Sequence, residues 1–448
     1  MLNANVHMLA LAVVGVALAL RWPWAALAFA VVGAIPYFAT LHVLGVGTSG
    51  VLTGSVFGGL GLTAVLRLML RPKSFHNLPF LFLFLAFVAF WYLRWYTDPP
   101  QAGYLSDDNT FAARAPVFML ASAIVPFVGG LLVRTEKDLR DILFWVATWG
   151  CMGMMVILIY WVLGMPNLGP SWSSKWEPIP SLTGIILALE VGFGALAFTG
   201  ISMTRRGWRW LLLRLVVLGT AIAISVRVGQ RGPFVFLVVA VLAPYILQVG
   251  SRLRQGLLVG ATTLVLLVVV ATETSESYSS DRATAAKSYS ADSNQNRLDL
   301  IKQSLRVFRQ RPILGWGGSL TGQTLGSERF YYTHVSLLDP LVETGIVGAL
   351  LYWGLYFLVL RILLRKRNMA IAGGTVFGVI VPLFLFTFLE AQVSGHVSGL
   401  RHLWLVTGMI GALPAVASML SARQRQAKLA GANLSVSTFN TGTPHSQR

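Results

Sequence analysis

Apolar runs close to the length of a bilayer crossing recur along this chain, and short basic clusters separate them. About 20 apolar residues carry a helix across the hydrocarbon core, where backbone must satisfy its own hydrogen bonds. That pattern excludes nearly every soluble architecture. The chain has 448 residues, 55% of them hydrophobic and 12% charged, and a globule of that size could not cover so much apolar surface with polar groups. The fold class expected is all-α: a polytopic transmembrane helical bundle of about 12–13 spans. The spans begin near Met8, Trp24, Val51, Leu78, Pro116, Ile142, Leu182, Trp210, Pro233, Gly256, Ser336, Ala370 and Leu400. The first lacks a basic start and a small-residue cleavage site, so it reads as a span rather than a leader.

The basic clusters set an orientation. Arg71 and Lys73 form one, followed by Arg134, Lys137 and Arg140, then Arg205, Arg206 and Arg209. Arg252 and Arg254, then Arg365, Lys366 and Arg367, then Arg423, Arg425 and Lys428 continue the series. Placing these on the cytoplasmic side sends the intervening loops outward: 94–115, 165–181, 227–232, 272–335 and 391–399. The net charge of +18 is thus spent on membrane orientation, and no nucleic-acid partner is expected. A single cysteine, Cys151, excludes an internal disulfide framework and a cysteine metal site.

Only one outward loop is long. It divides the chain into an N-terminal bundle over 1–271, the loop over 272–335, C-terminal helices over 336–420 and a polar tail over 421–448, expected to be disordered. The loop opens on a Ser/Thr/Ala-rich stretch and continues as RLDLIKQSLRVFRQR. There Leu298, Ile301, Leu305 and Phe308 recur at helical spacing while Lys302, Arg306 and Arg309 share another face. This predicts an amphipathic helix at the membrane surface. The turn PILGWGG follows.

Several outward residues could carry chemistry. In SVRVGQRGPF, Arg227 and Arg231 lie four apart, so one helix would put both on one face. Paired guanidiniums present planar forks of donors suited to a diphosphate; the plainer account is contact with lipid headgroups. Arg297 opens the amphipathic helix, with the same two accounts. His334 sits where the loop enters the next span. Its unperturbed pKa of about 6.5 suits a general base, although a lone histidine is more often structural. Gly345 lies eleven residues on, near three helical turns, which places it on the same face and leaves room there. Asp339 and Glu343 share a different face, as site carboxylates or as partners of buried arginines, and Pro340 is expected to bend the helix. EAQVSGHVSGLRHLW adds Glu390, His396, Arg401 and His402. No metal-ligand spacing, phosphate-binding loop or nucleotide fingerprint is visible, so no metal and no cofactor is expected.

In order and spacing these motifs resemble the O-antigen ligase and polymerase superfamily of bacterial membrane glycosyltransferases. The likeness is sharpest over about 225–350: Arg231-Gly232, RLDLI from Arg297, PILGWGG from Pro312, and His334 through Glu343-Thr-Gly345, with SGHVSGLRHLW resembling a late "SG…R…W" segment. One departure is Val335 directly after the histidine, where many relatives carry a polar residue; Ser336 comes next. The resemblance implies a multi-pass enzyme of the bacterial inner membrane, its site facing the periplasm and its C-terminus the cytoplasm. It implies metal-independent, inverting transfer of a saccharide from undecaprenyl diphosphate to a sugar hydroxyl. The acceptor would be lipid A–core or a growing surface polysaccharide, with membrane lipids as surroundings. His334 would be the base; Arg231, Arg297 and Arg227 would hold the diphosphate; Gly345, Glu343, Asp339 and Arg401 would support the site. The alternative is a transporter or flippase for lipid-linked oligosaccharide, which would carry ionisable residues near mid-span and broken helices.

Overall fold

The computed structural model describes residues 15–45, 50–71, 77–98, 110–166, 177–179, 182–202, 205, 207–228, 231–248, 299–318, 335–365, 376–394 and 400–439. The expected span near Gly256, the start of the span near Met8, the serine-rich part of the long loop, Arg297, His334 and His396 lie outside them. So does the side chain of Arg231.

The described residues form an all-helical bundle with no strand among them. The elements are α1 (Pro23–Val32), α2 (Ala34–Val43), α3 (Gly50–Met69), α4 (Leu78–Thr97), α5 (Thr110–Met119) and, after a π-helical turn over Leu120–Ile124, α6 (Val125–Leu131). Then come α7 (Glu136–Val162), α8 (Gly184–Ser202), α9 (Trp208–Arg227) and α10 (Arg231–Gln248). The loop helix α11 covers 299–310. Last are α12 (Asp339–Arg365), α13 (Ile380–Ser394) and α14 (Arg401–Phe439).

Six of the described helices are long and apolar enough to cross a membrane, and α1 with α2 forms a seventh if that bent pair is one span. Four shorter apolar helices accompany them. Leu211, Leu212, Leu215 and Val216 on α9, and Leu350, Phe357, Leu360 and Leu364 on α12, are exposed, as lipid-facing residues are. The chain is a multi-pass membrane protein.

Small residues let the helices approach. Gly150 of α7 meets Gly194 of α8 backbone to backbone, and Gly130 of α6 lies against Leu405 and Gly408 of α14. The core is aromatic: Phe84 stacks on Phe127 at 3.7 Å between ring centres, with Trp404 on the edge of Phe84.

Two local expectations are revised. The helix after Arg401 does not end near Ser421; it continues to Phe439, where composition had led to the expectation of disorder. The loop helix buries Leu300, Ser304 and Val307, while on its apolar face Leu305 is exposed and Ile301 and Phe308 are half-buried. Finally, Arg227 ends α9 and Arg231 begins α10, so the two are not on one helix.

Candidate functional site

The sequence motifs meet where the turn over 335–338 leads into α12. Ser336 N–H donates to the Ala391 carbonyl at 3.2 Å. Gln392 of α13 donates to Ser336 Oγ at 2.7 Å, and its amide oxygen accepts the Leu337 N–H at 3.3 Å. Trp353 donates its indole N–H to the Leu337 carbonyl at 3.1 Å. Leu337 lies in the turn just before α12, so Gln392 and Trp353 hold that turn from two sides. Ser336 and Asp339 are fully buried. Two residues before Gln392, Glu390 is 3% exposed, and its carboxylate lies 3.5 Å from where a Cβ would stand on Gly232. The structure therefore gathers the backbone of Arg231-Gly232, Glu390, Gln392 and the residues directly after His334.

Helix α12 starts at Asp339, so helical phase does not run from position 334 to Gly345. Pro340 falls in the first turn, where its missing N–H costs nothing, and produces no bend. The break is at Gly345, with φ 63° and ψ −164°. Uninterrupted helix would bond Ile346 N–H to the Val342 carbonyl and Val347 N–H to that of Glu343. Instead Ile346 donates to the Pro312 carbonyl at 2.9 Å and Val347 to that of Ile313 at 3.4 Å. The freed carbonyls of Val342 and Glu343 accept Trp316 N–H at 3.0 Å and Gly317 N–H at 2.9 Å. The turn over 312–318 thus completes the interrupted helix. Gly315 and Gly345 pass so closely that a Cβ on Gly315 would lie 2.5 Å from the Gly345 nitrogen. The room expected beside Gly345 is filled by Ile313.

Two residues of α4 hold the same turn. Trp91, fully buried, donates to Glu343 Oε2 at 2.8 Å, which accounts for one oxygen of that fully buried carboxylate. Arg94 donates Nε–H to the Leu314 carbonyl at 2.8 Å and an Nη2 proton to that of Gly315 at 3.1 Å. Asp98 pairs with Arg94 and lies 3.6 Å from Arg311, whose guanidinium stacks 4.3 Å from the Trp316 ring centre.

The other expected residues fall elsewhere. The exposed Arg227 has its guanidinium 5.8 Å from the Trp161 ring centre. Arg401 forms an ion pair with Glu190 of α8, which is fully buried. Glu190 also accepts the N–H groups of Ala34 at 3.2 Å and Ile35 at 3.1 Å. These are the orphan donors at the start of α2, which bends 77° from α1. The break has a local cause: Pro36 has no N–H and its ring would clash with the Val32 carbonyl if the helix ran on.

Sequence reasoning passed over Trp91, Arg94, Glu190 and Gln392. Arg94 had a usable signal, a basic residue at an outward boundary, as at Arg227. Glu190 is the one carboxylate in GIILALEVGFGALAF and could have been marked on cost alone. Among the described residues, no group of three or more His, Cys, Asp or Glu could hold a metal ion.

Residues 226–353 match the family model described as O-antigen ligase. The resemblance drawn from the motifs is therefore supported over the segment from Arg227 to Gly345. None of the curated proteins compared matches the chain.

Proposed function

We propose that this chain, which carries an O-antigen ligase domain over residues 226–353, is a membrane glycosyltransferase. It transfers a saccharide en bloc from undecaprenyl diphosphate to a sugar hydroxyl on the periplasmic face of the inner membrane. The observation that carries this reading is the convergence of Arg231-Gly232, Glu390 and the turn after His334 within that matched segment and its neighbour α13.

The diphosphate is the leaving group and stores the energy of transfer. Arg231 and Arg297, with Arg227 at the rim, stabilise the charge that develops on it, an effect largest where water is excluded. His334 takes the proton from the acceptor hydroxyl. Attack on the face opposite the diphosphate inverts the anomeric centre, and this scheme calls for no metal and no cofactor. Gly345 serves the site by letting the 312–318 turn dock. Glu343 and Asp339 shape the entry of α12, and Arg401 secures the bundle through Glu190. The acceptor is lipid A–core for a ligase and a growing glycan for a polymerase.

The test uses purified protein with lipid-linked glycan and acceptor extracted from a strain lacking the gene. Transfer is expected without ATP or metal, and His334→Ala should abolish it while leaving a monodisperse, inserted protein. Full transfer by that variant would overturn the mechanism. In the deletion strain, surface lipid bearing a single repeat unit identifies a polymerase; long chains left on the carrier identify a ligase.

One observation favours a second reading. The broken span at Gly33, with a buried ion pair at its half-helix N-terminus, is a feature of transporters. Translocation of lipid-linked glycan across reconstituted vesicles, with no transfer, would select that reading.

A further inference from the structure

We infer that Arg94 is a positioning residue: it clasps the 312–318 turn and so sets the placement of the loop segment that the transfer reaction uses. The functional half of this inference rests on the glycosyltransferase reading; the structural half does not.

The turn belongs to the matched O-antigen ligase segment, whereas Arg94 lies in α4, far outside it. Arg94 is 9% exposed, so burying its charge is costly unless all its donors are used. Two of its three nitrogens are used on the turn. Nε and Nη2, the parallel donors along one edge of a rigid fork, reach the carbonyls of the consecutive residues Leu314 and Gly315. Consecutive carbonyls can converge on one guanidinium because Gly315 takes φ 68°. Nη1 donates to Thr97 Oγ1 at 3.0 Å, and Asp98 neutralises the charge. Asp98 also faces Arg311, which caps the turn by stacking on Trp316. Gly318, at the far end of the turn, packs against Trp91 and Trp95.

This clasp complements the docking on α12 without duplicating it. The Gly345 break uses the N–H groups of Trp316 and Gly317 and the carbonyls of Pro312 and Ile313. Arg94 takes the two carbonyls left between them, Leu314 and Gly315. The turn is therefore held from both sides, by α12 and by α4. Helix α11 runs directly into it, with Trp316 Nε1 donating to the Val307 carbonyl at 3.0 Å. A loosened turn would move α11 with it. Lysine cannot replace the clasp: an ammonium is a point charge and cannot present two fixed, parallel donors.

The experiment compares wild type with Arg94→Lys, which keeps the charge beside Asp98, in nanodiscs of phosphatidylethanolamine and phosphatidylglycerol. Amide hydrogen exchange is read on peptides spanning 311–318 and 343–347. Transfer is read with donor and acceptor extracted from a deletion strain. R94K is expected to speed exchange in both peptides at least about tenfold and to lower kcat by about 10- to 100-fold, the cost of small misplacements in an active site, with KM within about twofold. Wild-type exchange in R94K overturns the clasp. Faster exchange with wild-type kcat, or a change in KM alone, overturns its role in positioning. Should R94K fail to fold, Asp98→Asn decides, because it leaves the fork intact and removes only the carboxylate charge that Arg94 and Arg311 face. D98N must show smaller changes in the same two readouts; unchanged values overturn the inference. Full transfer by His334→Ala would strike the proposed reaction instead, and the exchange result would still judge the clasp.

Discussion

Among the described residues, one helix is interrupted at Gly345 and another at Gly33, and the two breaks are held open by different physics. At Gly345 the lost helical bonds are replaced by backbone of the 312–318 turn, four hydrogen bonds exchanged in reciprocal pairs. At Gly33 the freed N–H groups of Ala34 and Ile35 are met by a side chain, the Glu190 carboxylate, which in turn carries Arg401. The first break is steric: it needs glycine for a left-handed φ and for a close approach at once. The second is chiefly electrostatic: Gly33 has φ −94°, which any residue adopts, although a Cβ there would press on Phe29, and the break is decided by Pro36 and a charge 155 residues away. Backbone docking transmits position rigidly, which suits a loop that must present reactive groups. A charge pair tolerates small shifts in the elements it joins but leaves a buried ion if either partner goes.

That contrast can be broken by substitution. The largest effect is expected for Gly345→Ala, where a Cβ meets backbone atoms of Ile313 in a conformation that L residues rarely adopt. No monodisperse protein should be recovered by size exclusion. Next comes Glu190→Ala, which strands Arg401 and the two donors of α2. It should cost about 3–5 kcal/mol in thermal or denaturant unfolding, and removing both charges in Glu190→Leu/Arg401→Leu should cost less than E190A alone. If the double variant is the worse one, the electrostatic account of the Gly33 break is wrong. Gly33→Ala is expected to cost about 1–2 kcal/mol, because φ is permissive and the added methyl presses mainly on the Phe29 ring and carbonyl. Equal costs for G33A and G345A would erase the distinction. Gln392→Ala should be the mildest for stability, about 1 kcal/mol for its two side-chain hydrogen bonds to the turn. Transfer should nonetheless fall about tenfold, measured with extracted donor and acceptor, because Gln392 fixes the turn directly after His334.

Much of this was legible before any coordinates. Apolar runs of bilayer length made the all-α, multi-pass bundle unavoidable. PILGWGG and ETG, read as separate motifs, turn out to be the two halves of one docking contact. Their glycines were visible, but the reason for them was not, since nothing local says that Gly315 and Gly345 face each other. Helical phase from His334 to Gly345 failed because it assumed unbroken helix, as did the shared face of Arg227 and Arg231. Glu190 was passed over because a carboxylate inside an apolar run is intelligible only through its partners, which come from α2 and α14.

The sequence by itself determined what the chain can dissolve in, where its polar residues gather and which family its central segment matches. Those follow from hydropathy and motif order, properties that survive without long-range contacts. Only the tertiary structure decided the partners: that Arg94 holds the 312–318 turn, that Gln392 holds the turn before α12, and that Glu190 answers both Arg401 and a broken span. In a low-dielectric bundle each buried donor or charge must find a complement. Which complement it finds is set by the packing of helices far apart in the chain.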